Sequence, residues 1–265
     1  MAATLRSLSA RDDVNLKLYQ RSDIVKSYAT ATLHPPEATI LVRYREDFLN
    51  RRVLDLGCGA GRLTTYLRPL TDRYTGVDFS PQMVAHCRRQ FPELVFRQAD
   101  MRDLTQFECS SFDTVIAIYN MFDPVSHEDR LRVLAQVRRI LTANGLLVFS
   151  AHNLNCVKGI GAPRLHFTLN PYSQWRNIVD YASSVANRLR IKPKERLEQD
   201  YALLNDCAHN YSLLHYYIRR QTQAEQLAGA GFGLLECLDH LGRTLAPGAD
   251  DGDCASIYYV ARVTP

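Results

Sequence analysis

The stretch Val53-Leu54-Asp55-Leu56-Gly57-Cys58-Gly59-Ala60-Gly61-Arg62-Leu63 decides how the rest of the chain is read. A short apolar run ends in an acid and breaks into alternating glycines. Leu63, Tyr66, Leu67 and Leu70 then recur at i, i+3, i+4 and i+7, the spacing of one helix face. The order is strand, glycine loop, helix. Glycine lets backbone approach a ligand closely, and a helix start offers unpaired N–H groups. The expected ligand is anionic or rich in hydroxyls. A dinucleotide fingerprint would read G-x-G-x-x-G, but here the glycines alternate and residue 62 is Arg.

Working outward, the same grammar repeats. Tyr74–Asp78 is a second apolar run ending in an acid, and Ser80-Pro81 restarts a helix with serine as N-cap and proline at the first position. A carboxylate at that strand tip can accept both hydroxyls of a ribose. Residues 95–101 and 112–120 read as third and fourth strands. A capping-box-like Ser126-His127-Glu128-Asp129 opens a helix carrying Leu131, Leu134 and Leu141, with Asn144-Gly145 expected as its C-cap. Leu146–Ser150 is the fifth strand. Five alternations of strand and helix predict a doubly wound, mostly parallel α/β sheet.

The wording of residues 53–62 resembles the first motif of class I S-adenosylmethionine-dependent methyltransferases. The resemblance covers about 52–150 strongly and 221–263 moderately, where Gly229-Ala230-Gly231-Phe232 is similar to the family's turn into its sixth strand. It implies a Rossmann-like, seven-stranded methyltransferase fold with S-adenosylmethionine as cofactor. It also implies a cofactor site made of Tyr28, Asp55, Gly57, Cys58, Gly59, Gly61, Asp78, Phe79, Met83, Asp100, Met101, Ile118 and Tyr119. In that set Asp78 meets the ribose, Asp100 and Met101 the adenine, Ile118 and Tyr119 the methionine end, and Tyr28 closes over the site. The organisation expected is an N-terminal covering segment (1–36), a cofactor core (37–150), a lid between strands 5 and 6 (151–220), and a closing helix with antiparallel strands (221–265).

Residues 151–220 fall outside the family pattern and leave from a strand end, where ligands of open α/β sheets bind. They are rich in aromatics and histidine, which suits an acceptor pocket, with Trp175, Tyr216 and Tyr217 as candidate lining. A methyl acceptor bearing a hydroxyl gains from a base. His152 is the histidine best placed in sequence for catalysis, with His127, His209 and His215 as competitors. Arg188, Arg190, Lys192, Lys194 and Arg196 form a basic cluster, read as a solvated face with a phosphate or nucleic-acid anchor as its rival. No metal-ligand spacing is present.

At 265 residues the chain can bury a full core without staples. Seven scattered cysteines, without a C-x-x-C pair, read as reduced thiols of a cytoplasmic protein. A net charge of +4 and the lack of a long apolar run lead to an expectation of no nucleic acid and no membrane. The function expected is methyl transfer to an oxygen or nitrogen of a small molecule. A methyltransferase acting on RNA or protein, or a cofactor-binding module without catalysis, stands as the alternative.

Overall fold

The computed structural model describes residues 32–264; Tyr28 and most of the 1–36 segment lie outside that range. Two short helices, α1 (Pro35–Arg43) and α2 (Arg45–Phe48), lead into β1 (Val53–Leu56). Then follow α3 (Thr64–Leu67), β2 (Tyr74–Asp78), α4 (Pro81–Gln90), β3 (Val95–Gln98), β4 (Phe112–Ala117), α5 (His127–Ile140) and β5 (Leu141–Asn153). Strands β3-β2-β1-β4-β5 lie side by side and parallel, with Asp55 level with Gly76 on one side and Ile116 on the other. Every residue of β1 is buried, as a central strand covered on both faces must be.

The C-terminal part closes the sheet. After α7 (Arg220–Gly229), β9 (Phe232–Leu238) and β10 (Ser256–Val263) form an antiparallel pair, and β10 runs antiparallel along β5 from Arg262 against Leu146 to Ser256 against His152.

Three features differ from the expectation. The sheet has ten strands, not seven. The additional three come from the 151–220 segment, which holds the 21-residue α6 (Pro171–Ile191) and then β6 (Arg196–Leu197), β7 (Tyr201–Leu204) and β8 (His215–Ile218). β8 docks in parallel on the tip of β5, opposite His152 and Asn153, where β4 has already ended.

Asn144-Gly145 does not cap α5, which ends at Ile140. Leu141 pairs at once with Phe112, and Asn144 takes a positive φ of 62° within β5. The helix after the glycine loop is a single turn, Thr64–Leu67, flanked by turns, although Leu63 and Leu67 are buried as its pattern required. No helix among the described residues is long and apolar enough to cross a membrane, and all seven cysteines are free.

Candidate functional site

The cleft at the carboxyl ends of β1, β2 and β4 is lined by the glycine loop, Asp55, Asp78, Phe79, Met83, Asp100, Met101, Ile118 and Tyr119. Asn120, Met121, Val125 and the guanidinium-bearing Arg62 and Arg102 also line it. The structure thus brings together every described residue of the sequence-derived cofactor set except Gly61, while the catalytic candidate His152 stands behind Asn120 and is not among the lining residues. The loop is pinned under the tip of β2, where the Gly57 and Cys58 N–H groups both donate to the Val77 carbonyl at 2.7 and 2.9 Å.

Gly59 has a φ of +55° and open space where a Cβ would stand, so it forms the bare floor of the cradle. Gly61 has a different task. A Cβ there would sit 2.6 Å from the Phe91 ring, so this glycine lets the loop close on α4 and does not line the cleft.

The acids have distinct environments. Asp78 accepts hydrogen bonds from Gly59 N (2.9 Å) and Ser80 N (2.8 Å), and burial pushes its carboxyl up to about 6 despite those donors. A carboxylate offers about four acceptor positions, so capacity for ligand hydroxyls remains. Asp55 lies deeper. It accepts from the Tyr74 hydroxyl at 2.8 Å, and burial raises it to about 7. Asp100 is held by Arg102 through a two-pronged contact (2.9 Å Nε to Oδ1, 2.5 Å Nη2 to Oδ2), and the same guanidinium reaches Asp129 at 3.5 Å.

Arg62, the residue that breaks the dinucleotide fingerprint, is buried. It pairs with Glu37 of α1 at 2.6 and 2.9 Å and lies 4.4 Å from the centre of the Tyr119 ring. The cleft is therefore braced by an ion pair from the helix that precedes the sheet. Desolvation offsets much of such a pair's attraction, so it adds little net stability, but losing one partner would strand the other's charge.

Opposite the glycine loop, the exit of β4 bends sharply: Tyr119 and Asn120 have φ of 63° and 56°. Both are non-glycine residues in the left-handed region, a strain of order 1–3 kcal/mol each that tends to mark functional sites. The bend carries Asn120 Nδ2 to 3.1 Å from His152 Nε2 and 2.9 Å from Ser256 Oγ. Asn120 Oδ1 is buried with no hydrogen-bond partner among the described residues.

On its other side His152 Nδ1 lies 2.7 Å from Asp123 Oδ2, which also accepts from the His152 backbone N–H at 2.7 Å. Asp123 in turn pairs with Arg130 at 2.6 Å, both side chains being fully buried. Arg130 continues to the Gln223 amide oxygen (2.6 Å) and covers the Tyr216 ring. With the carboxylate on Nδ1, the neutral imidazole carries its proton there and presents Nε2 as an acceptor to Asn120. Burial alone would lower the His152 pKa, but the Asp123 carboxylate overrides it and holds the imidazole above its ordinary value.

The competing histidines are engaged elsewhere. His127 and Tyr216 both stack on the Tyr201 ring, and His127 shares a 2.8 Å hydrogen bond with the Tyr216 hydroxyl. His215 pairs with Asp206 at 2.9 Å, and burial beside His215 pushes His209 down to about 4. The tyrosines expected in the acceptor pocket are internal: Tyr216 is fully buried in the core, and Tyr217 stacks on His152 while donating to Asp206 at 2.7 Å. The basic cluster also divides, since Arg188 is buried against the Asn205 and Ile160 carbonyls.

Asn120, Asp123 and Arg130 were not singled out from the sequence. The available signal was position, because Asn120–Asp123 leaves the carboxyl end of a strand bordering the crevice.

These features agree with known proteins. A family model described as a methyltransferase domain matches residues 53–145. A putative methyltransferase of Bacillus subtilis is 29% identical over 106 residues, 38% of this chain and 42% of that protein. A ubiquinone biosynthesis O-methyltransferase of Nitrosococcus oceani is 31% identical over 116 residues, 42% and 48% of the two chains. The chain thus spans less than half the length of these curated relatives. Among solved structures, the Burkholderia thailandensis 1,6-didemethyltoxoflavin-N1-methyltransferase, with its substrate and S-adenosylhomocysteine bound, superposes with a TM-score of 0.58. It is 16% identical and the match covers 100% of this chain and 95% of that one, a likeness of fold.

Proposed function

We propose that the chain, whose residues 53–145 match a methyltransferase domain, uses S-adenosylmethionine to methylate an oxygen or nitrogen of a small-molecule acceptor. The cleft suits the cofactor. Gly59 leaves the floor bare, Asp78 keeps acceptor capacity for ribose hydroxyls, and Met83, Met101 and Phe79 give apolar walls for a flat base. Bound there, S-adenosylmethionine supplies a methyl group already activated on a sulfonium.

The chain's own residues then have to position the acceptor and receive its proton. Orientation alone corresponds to effective molarities of about 10⁵–10⁸ M. Proton removal falls to His152 Nε2, which Asp123 holds in the correct tautomer from behind, as Arg130 holds Asp123. Asn120 guards that nitrogen. Its amide donates to neutral Nε2 in the resting site, so it turns aside for the acceptor hydroxyl to pass its proton directly to Nε2, and the unpartnered Oδ1 then accepts from Nε2–H. The observation that carries the reading is this chain, Arg130–Asp123–His152–Asn120, ending on the cleft wall. The 151–220 segment, docked at the tip of β5 beside His152, forms the acceptor side of the site.

The test is methyl transfer to a panel of small hydroxyl and amine acceptors, read as release of S-adenosylhomocysteine, beside structured RNA over a salt series. Turnover of a small acceptor that falls 10²–10⁴-fold in His152→Gln supports the reading. Turnover confined to RNA, with steep salt dependence, overturns it.

A further inference from the structure

Helix α6 is mounted with its polar face inward. Its buried residues are Ser184 and Arg188, and it is tied down by polar contacts: Arg188 donates to the Ile160 carbonyl at 2.6 Å and Asn187 to the Asn210 carbonyl at 2.9 Å. Five of its apolar residues point the other way. Tyr172, Trp175, Ile178, Val179 and Leu189 are 72%, 64%, 43%, 46% and 73% exposed. At 3.6 residues per turn, with Ala182 and Ala186 between them, they fill one continuous arc of roughly 120°. Phe167 and Leu169, just before the helix, extend the strip at 83% and 102% exposure. Globular helices bury such a stripe; among the described residues nothing covers this one. An apolar strip of this kind marks an interaction surface.

The charges select the occupant. Arg176 and Arg190 border one edge of the arc, and the exposed Lys192, Lys194 and Arg196 follow the helix end, where Glu195 is turned to Arg188; Asp180 is the only acid within the helix. Two copies meeting through this face would bring like charges together. Residues 1–31 are also net positive, with five Lys or Arg against three Asp, so they do not complement it either. An aromatic and aliphatic face edged by arginine and lysine fits the interface of an anionic bilayer, where the apolar arc enters the acyl boundary and the cations meet lipid phosphates.

We propose that α6 seats the protein on anionic membrane surfaces. The segment carrying α6 also supplies β8, which docks beside His152. The docking itself does not depend on which acceptor is methylated, and its test involves no turnover.

Trp175 is the chain's one tryptophan, so its fluorescence reports on this face alone. The full chain is mixed with vesicles of phosphatidylcholine, with or without phosphatidylglycerol, including brominated lipids as quenchers. The expected result is a solvent-exposed emission without lipid, then a blue shift and quenching on anionic vesicles that added salt reverses. In vesicle flotation, Lys192→Ser and Lys194→Ser should each lower partitioning about fivefold, and Leu189→Ser should lower it without changing its salt dependence. Absence of shift and quenching on anionic vesicles overturns the proposal. So does an emission already blue-shifted without lipid, whether it depends on protein concentration (a second copy) or not (the chain covering itself).

Discussion

Replacing Asp123 with Asn separates the two jobs assigned to that carboxylate. Asp123 and Arg130 are fully buried and joined at 2.6 Å, and the same carboxylate accepts two hydrogen bonds of 2.7 Å from His152. Asn is nearly isosteric, so the change removes charge and leaves packing almost intact. The stranded Arg130 keeps only neutral partners, the Phe122 carbonyl, the Gln223 amide and the Tyr216 ring. Breaking a buried pair from one side costs about 3–5 kcal/mol. At about 2–4 °C per kcal/mol for a chain of this size, the melting temperature should fall by roughly 6–20 °C. Arg130→Met on top of Asp123→Asn should recover part of the loss, because it removes the uncompensated cation.

The second job is read in turnover. Wild-type His152 is held above its ordinary pKa and accepts a proton only when neutral, so turnover should climb as pH rises through a value above 6.5. Without the carboxylate that limb should move to lower pH, while the plateau drops by about 10²–10⁴-fold from lost orientation. Calorimetric unfolding and pH–rate profiles of the same samples give both numbers. A loss of stability below about 1 kcal/mol, or a pH limb that stays in place, would refute the chain of contacts.

Other perturbations follow from the cleft. Asp78→Ala should weaken cofactor binding at least tenfold by titration, since hydrogen bonds to a charged group are worth about 1.5–3 kcal/mol each. Asp78 titrates near 6, so wild-type affinity should decline below pH 6 and the variant's should not. Asp55 is raised to about 7 from 3.8, so the folded state binds its proton more tightly than the unfolded chain does. Its contribution to stability is complete below pH 4 and lost as pH climbs to 7, by at most about 4 kcal/mol. Asp55→Asn should flatten that part of a denaturation-versus-pH curve. Gly61→Ala, strained at φ +82° and 2.6 Å from Phe91, should destabilise by about 1–3 kcal/mol in thermal unfolding without entering the cleft.

The parallel core was legible because its strands alternate with helices on a local pattern that burial enforces. Residues 53–63, Asp78 and Asp100 could be placed from the sequence because each acid stands at a strand end. The β5–β8 docking was not legible. It joins His152 to Tyr217 across 65 positions, and no local periodicity encodes which strand tip a later hairpin will extend. The same long-range contact explains why Tyr216 and Tyr217, which read as pocket lining, are core residues. Asn144-Gly145 had the chemistry of a cap, yet pairing of Leu141 with Phe112 ended the helix earlier. The α6 stripe was hidden for the opposite reason. Its apolar spacing is that of an ordinary buried helix, and only the structure reveals that the polar side faces the protein.

The central claim is that the glycine cradle, Asp78 and Asp100 form a sulfonium-nucleoside site rather than a dinucleotide site. Calorimetric titration of the full chain with S-adenosylmethionine, S-adenosylhomocysteine and NAD tests it most directly. Saturable binding of the first two, weakened at least tenfold by Asp78→Ala, and no heat with NAD are expected. Binding of NAD with none of the other two would contradict it.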